Sequence, residues 1–172
     1  MGPVSSEVEI DVQREVAFEL ISDLSRRPSF TDHFASGFHL TRIEPSGIGA
    51  GARFRVHVPL NSAWMETTIA ELEEPHRILE HGRGGRDNRV PAVTLWELTE
   101  GPGSLTTVRV SHWTEPSHPL DRAREALTAT SFWSERGWRE ALRRLRDLLE
   151  SEGVPGARIA IAGGNRYATG IP

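Results

Sequence analysis

The stretch Pro119–Glu150, PLDRAREALTATSFWSERGWREALRRLRDLLE, decides the fold, because the chain before it is rich in strands that need a cover. In its second half Trp138, Ala141, Leu142, Leu145, Leu148 and Leu149 recur at three- and four-residue intervals. Arg139, Glu140, Arg143, Arg144, Arg146 and Asp147 fall between them, so the pattern is an amphipathic helix with one solvated face. About twenty helical residues reach roughly 30 Å, the width of a small domain. The same phase runs back through Leu127, Ala123 and Leu120, with Asp121 as an acidic residue near the start. In the middle the inward positions are Thr130, Ser131, Ser134 and Gly137, small residues where a packed core would use Leu. The pattern predicts one long helix, kinked near Gly137, whose middle leaves room beneath it. Its alternative is two helices joined around Thr130.

Upstream, Glu7–Val12 alternates strictly, with Val8, Ile10 and Val12 on one face, which is a half-buried strand. Gln13–Leu24 changes to a helical period built on Val16, Leu20 and Leu24, joined by Ala17, Phe18 and Ile21. Pro28 and its polar neighbours end that helix and allow a second short one. Phe38, Leu40 and Ile43 then lead into Pro45-Ser46-Gly47-Ile48-Gly49-Ala50-Gly51, a glycine-rich turn. Ala52–Leu60, Ala63–Leu72, Arg77–His81, Val90–Thr99 and Leu105–Thr114 read as strands. Glu73-Glu74-Pro75-His76, a flexible loop over Gly82–Asn88 and Glu100–Ser104 separate the later ones, spacings that suit an antiparallel meander. Residues 153–172 have no helical period and one short apolar run, Ile159–Ala162, so a surface-docked or disordered tail is expected. The division is one domain over 1–152 followed by that tail. A single antiparallel sheet with one apolar face needs a cover, and the long helix is the only element large enough. The sheet must curl around it, and a curled sheet over small helix residues encloses a cavity.

Composition narrows the functions. The 172 residues are enough for one domain with a sizeable core. A net charge of −4 and a pI near 6.0 give no global attraction for nucleic acid or anionic membranes. No cysteine is present, which excludes disulfides, thiolate metal sites and Cys nucleophiles. No apolar run of membrane-spanning length occurs and the N-terminus lacks an apolar signal region, so a cytoplasmic location without stable membrane insertion is expected.

Several stretches resemble the START-like helix-grip superfamily and its polyketide cyclase/dehydrase-like members. EVEIDVQREVAFELISDLSRRPSF resembles the family's opening strand, helix and Asp-containing helix end. GIGAGARFRVHV is similar to its Gly-rich turn and strand. TTIAELEEPHRILEHGRGG and VTLWELTEGPGSLTTVRVSH resemble the strands and closing hairpin that follow. The resemblance covers about Val4 to Glu152. It implies an α+β helix-grip fold, a curved antiparallel sheet of about six or seven strands wrapped round a long C-terminal helix, with two short helices after the first strand. It also implies a deep apolar pocket for lipids, polyketides, hormones or aromatic compounds. No cofactor is implied, and no catalytic residue carries over by motif.

Pocket candidates follow from strand phase. Val108 and Val110 turn His112 inward; Thr94, Trp96 and Leu98 share a face; Met65 and Ile69 place Thr67 inward and Glu66 outward, unless a bulge reverses them. The ligand-binding set is Val58, Met65, Thr67, Trp96, His112, Thr130, Trp133, Ser134 and Trp138. His112 is the catalytic candidate, since a neutral imidazole in an apolar cleft could orient a carbonyl or act as general base. Its structural alternative is a satisfied or rim histidine. Glu66 or Glu80, if inward, would be a desolvated carboxyl suited to enolisation or dehydration, but both are expected on the solvated face. Trp113 could stack on a ligand or pack in the core, and Arg55 is expected to be exposed. His57, His76, His81, His112 and His118 form no metal motif. Gly47–Gly51 precedes a strand rather than opening a helix, so it is no nucleotide fingerprint. Arg143, Arg144 and Arg146 are interspersed with acids and read as a solvated face.

Two readings stand. One is a binding module for a small hydrophobic or aromatic ligand, monomeric or homodimeric; the other is a polyketide cyclase, aromatase or dehydratase using the same cavity. Two or more ionisable groups reaching one ligand atom would favour the enzyme, and a single polar group at the mouth would favour binding. A third, action through protein contacts, predicts an exposed apolar patch.

Overall fold

A computed structural model describes residues 2–58, 61–103, 105–127, 130–151, 158–161 and 164–167; of Val58, Asn61, Arg86, Arg124, Glu125, Leu127, Thr130, Phe132 and residues 158–161 and 164–167 only the backbone is described. Strand β1 (Val4–Asp11) leads to helices α1 (Arg14–Ser22) and α2 (Pro28–Thr31). Six strands follow, β2 (Ala35–Leu40), β3 (Gly51–Val58), β4 (Asn61–Glu73), β5 (Arg77–Gly84), β6 (Val90–Glu100) and β7 (Leu105–Thr114). Helices α3 (Pro119–Leu127) and α4 (Thr130–Glu150) come next, then two short strands, β8 (Arg158–Ile161) and β9 (Gly164–Tyr167). The sheet runs β1-β7-β6-β5-β4-β3-β2 with every pair antiparallel, and β8 extends it past β2 in parallel.

This is the α+β helix-grip architecture: a seven-stranded antiparallel sheet curled over a C-terminal helix. Register shifts at Ser36/His39 in β2 and at Ile69/Glu71 in β4 mark irregularities where such strands bend and twist more strongly. The glycine-rich turn sits over the α1 end, where Leu24 N–H donates to Pro45 C=O at 2.9 Å. Gly47 and Gly49, at φ of 86° and 88°, supply the left-handed backbone this turn requires.

The concave face carries the inward phase read from β6 and β7. Trp96, Leu98, Val108 and Val110 are buried there with Ile69 and Ile78. From the helical side Phe18, Ile21, Leu24, Phe30, Leu142 and Leu145 close the same core. α4 packs along β1 and α2.

Several expectations need correction. The C-terminal helical stretch comprises α3 and α4, and residues 128–129, where the expected single helix would have to be continuous, lie outside the described residues. The extrapolated stripe fails at Leu120 and Ala123, which are exposed, while the side chain of Leu127 lies outside the described part; among the described side chains of α3 the buried one is Asp121, held by Arg89 at 2.8 and 2.9 Å. Val16 and Ile43 are also exposed, leaving Ala17, Phe18, Leu20 and Ile21 as the packed face of α1. The expected loop over Gly82–Asn88 is mostly ordered backbone, since β5 runs on to Gly84 and Arg86–Asn88 form a 3-10 turn. Within the tail, β8 and β9 pair with each other, and β8 meets β2 through His39–Ala160 and Leu40–Ile161.

Candidate functional site

Between the sheet and the N-terminal half of α4 lies a cavity of about 100 Å³. Its apolar wall comes from Phe34, Phe54, Val56, Met65, Trp133 and Trp138. Its polar part comes from Arg27, Thr67, Glu80, Thr94, His112 and Ser134. Phe34, His57 and Trp133 also line an adjoining groove of about 940 Å³ beside α4, together with His33 and Arg136. Trp133 is 39% exposed, so it stands at the mouth between the two spaces.

The room is made by the sheet more than by the helix. Gly82 of β5 and Ala92 of β6 are register partners on the cavity wall, and Thr67 of β4 lies opposite Gly82. Three neighbouring inward positions therefore carry little bulk. On α4 the picture differs from the sequence expectation. Gly137 is filled from outside: a Cβ there would meet Phe34 Cγ at 3.2 Å, and the Phe34 ring packs edge-on against Trp138. Ser131 points to solvent, and only Ser134 of the small residues with described side chains borders the cavity.

Glu80 is the main correction at the site. It is 2% exposed, not on a solvated face. Its register partners are Ile69 and Thr94, both on the concave face, so the carboxylate is forced inward. Three side chains donate to it: Arg27 Nη2 at 2.7 Å and Trp96 Nε1 at 2.9 Å to Oε1, and Thr67 Oγ1 at 2.9 Å to Oε2. Burying a carboxylate without such partners would be prohibitive. Arg27, absent from the sequence-derived set, is 5% exposed and also donates to Ile21 C=O at 3.1 Å. Its guanidinium lies 4.9 Å from the Trp96 ring centroid and 5.8 Å from that of Phe30, cation–π contacts with both of these mutually perpendicular rings.

His112 is buried on the wall, with Nδ1 hydrogen-bonded to Thr94 Oγ1 at 2.9 Å and its ring 5.9 Å from Trp138. Met65, Thr67, His112, Trp133, Ser134 and Trp138 thus surround one space, as strand and helix phase indicated. Trp96 does not. It is fully buried beneath the floor, edge-on to Phe30 and Trp138, and acts as packing and as a donor to Glu80. The side chains of Val58 and Thr130 lie outside the described part of the structure.

The remaining candidates face outward. Glu66 lies 3.6 Å from Arg53, both over two-fifths exposed, and Arg55 is exposed with its guanidinium over Trp64. Trp113 Nε1 donates to Glu115 on the far side of β7 from His112. On α4, hydrogen bonds from Arg143 and then Arg144 pull the Glu140 carboxyl down to about 2, so these arginines are committed to neighbours rather than forming a free basic patch. Burial lowers the pKa of half-buried His33, whose Nε2–H donates to Gly137 C=O at 3.0 Å. Among the described residues no cluster of His, Asp and Glu is arranged to hold a metal, and no helix is long and apolar enough to cross a membrane.

A curled antiparallel sheet that grips a C-terminal helix around a mostly apolar cavity defines a START-like helix-grip domain. The chain belongs to the family described as polyketide cyclase/dehydrase and lipid transport, whose model matches residues 1–150. No curated protein matches the sequence. Among solved structures, the KanY protein in solution superposes with a TM-score of 0.70 at 17% identity, covering 88% of this chain and all (100%) of that one. DynU16, from the dynemicin biosynthetic locus, gives a TM-score of 0.60 at 20% identity over 90% of this chain and 49% of its own. A START superfamily protein from Mycobacterium smegmatis gives 0.56 at 14% identity, over 83% of this chain and 98% of its own. At these identities the likeness is one of fold.

Proposed function

We propose that this protein binds a small hydrophobic, aromatic ligand in the cavity between the sheet and α4. The observation that supports this reading is a space walled mainly by Phe34, Phe54, Met65, Trp133 and Trp138, with polar side chains such as Thr67, Thr94 and His112 set among them. That is the composition expected of a ligand site, where apolar surface supplies affinity and a few polar groups fix orientation. Size restricts the ligand. Typical ligand pockets hold roughly 300–1,000 Å³, and a dry cavity of about 150 Å³ takes benzene. At about 100 Å³ the space falls below both, so even a single ring would have to reach past Trp133 toward the adjoining groove, as would any longer lipid- or polyketide-like molecule.

A second reading, polyketide cyclase, aromatase or dehydratase chemistry, is favoured by the presence of Arg27, Glu80 and His112 on the same cavity. The family description is consistent with either reading. Against catalysis by Glu80 stands its engagement by three donors, which leaves His112 as the group to move a proton.

Native mass spectrometry of purified protein, followed by a screen of one- to three-ring compounds, tests the binding reading. Retention or uptake of an apolar ligand is expected, and a screen without a single binder would sink it. If a substrate is found, His112→Ala should abolish turnover; an unchanged rate removes His112 from the chemistry.

A further inference from the structure

The groove beside α4 continues the cavity and decides what the outer end of a ligand meets. The two spaces share Phe34, His57 and Trp133, and the inner one, at about 100 Å³, is too small to hold a ligand whole. A molecule whose apolar end lies in the cavity therefore passes Trp133 and runs along the helix face behind it. On that face Trp133, Arg136, Glu140 and Arg143 follow at three- and four-residue spacing, and all four line the groove. Arg136 comes first, roughly 5 Å from Trp133 along the helix axis.

The other charges of the groove are already paired. Glu7 accepts from Arg109 at 2.7 Å, and Glu140 is held by Arg143 and Arg144. Arg143 also reaches Asp147, and Arg139 reaches Glu135. Arg146 lies 3.8 Å from Asp147, and it stands about three and a half turns from Trp133. Among the described residues Arg136 makes no ion pair or hydrogen bond, and it is exposed to the groove. The described lining carries four arginines to two glutamates, so an anion entering it meets a positive surplus. A ligand ending in a cation would meet like charge instead.

Resting on the ligand-binding reading above, we infer that the ligand is an amphipathic carboxylate, with its ring or hydrocarbon end in the cavity and its carboxylate on the Arg136 guanidinium in the groove. The planar guanidinium offers a carboxylate two parallel N–H donors, a geometry that a lysine lacks. Arg136 is thus a specificity-determining residue: it selects the charge of the outer end, while the cavity walls select the apolar end. The contact is open to solvent, so the preference it gives is modest and weakens with added salt.

Calorimetric titration with 4-phenylbutyrate, 4-phenylbutan-1-ol and 4-phenylbutylamine at about pH 7.5 tests this, because the three share a ring and linker and differ in terminal charge. The butyrate should bind about fivefold more tightly than the alcohol, with the amine weakest. In Arg136→Gln the butyrate-to-alcohol preference should fall to near one, and in Arg136→Glu the amine should become the tightest of the three. Arg136 is exposed, so neither substitution disturbs the core. A butyrate no tighter than the alcohol on the wild type would overturn the inference and leave the ligand-binding reading in place. So would an amine that binds the wild type most tightly, or a butyrate preference that survives Arg136→Gln. Failure of all three compounds to bind the wild type would remove both the inference and that reading.

Discussion

Glu80 and Arg27 show how a single buried pair shapes a site. Each is nearly inaccessible, and their 2.7 Å contact is supported by Trp96, Thr67 and the Ile21 carbonyl. Breaking one partner leaves an uncompensated charge in the core, so Arg27→Met is expected to destabilise by about 3–5 kcal/mol. Replacing both partners by apolar side chains removes the desolvation cost along with the attraction, so R27M/E80L should recover most of that loss. Urea denaturation midpoints of the three proteins check this, and equal losses in the single and double variants would contradict it. His33 provides a pH-dependent case. Burial lowers its pKa below the ordinary 6.5, Arg144 adds to that, and the hydrogen bond to Gly137 C=O opposes it. The unfolded chain therefore takes up the proton first as pH falls. Stability contributed by this residue is present above about 6.5, declines below it, and levels off once pH is below the folded value. His33→Gln, which keeps a donor for Gly137, should flatten this part of the profile. Thermal midpoints of both proteins at about pH 7.5 and about pH 5.5 should differ more in the wild type.

Among the elements, α4 was the most legible and its middle the most misleading. Its C-terminal half follows the sequence period: Trp138, Ala141, Leu142, Leu145 and Leu148 are all buried. Its small residues suggested open space, but periodicity says only which side of a helix faces in, not what arrives from elsewhere. At Gly137 what arrives is Phe34, from the α2–β2 connection. Helix propensity alone would make Gly137→Ala stabilising by about 1 kcal/mol. The 3.2 Å approach to Phe34 Cγ, in a ring flanked by His33 and Trp138, should reverse this to a net loss on the order of 1 kcal/mol. In a Phe34→Ala background the same substitution should become stabilising, and a double-mutant cycle by chemical denaturation measures the difference. Glu80, by contrast, was within reach of sequence reasoning. It stands two residues from Ile78 in a strand, and the inward phase of Thr94 and Trp96 passes across the β5–β6 register to Glu80 and Ile78. Arg27 was not. It lies in an irregular segment without period, and its burial depends on Glu80, 53 residues away in the chain.

At the scale of the whole molecule, the question is where the folded unit ends. The buried apolar cluster runs from Ile10 to Leu148, and the family model ends at residue 150. Beyond it, β8 touches the main sheet through two register pairs on β2, His39–Ala160 and Leu40–Ile161. Two strand pairings at the sheet edge are worth on the order of 1 kcal/mol each, small against the core. A chain ending at Glu152 should therefore unfold cooperatively, with a midpoint within about 8 °C of the full chain, since about 2 kcal/mol in all corresponds to roughly 4–8 °C at this size. The cavity residues all precede Trp138 or include it, so ligand affinity should also be retained. The uncovered β2 edge is the expected liability, because an unpaired strand edge is a template for association. Calorimetry and light scattering on the shortened chain separate the two effects. A lower midpoint with intact cooperativity and raised scattering fits an edge strap, whereas loss of the cooperative transition would make the 158–167 segment part of the domain itself.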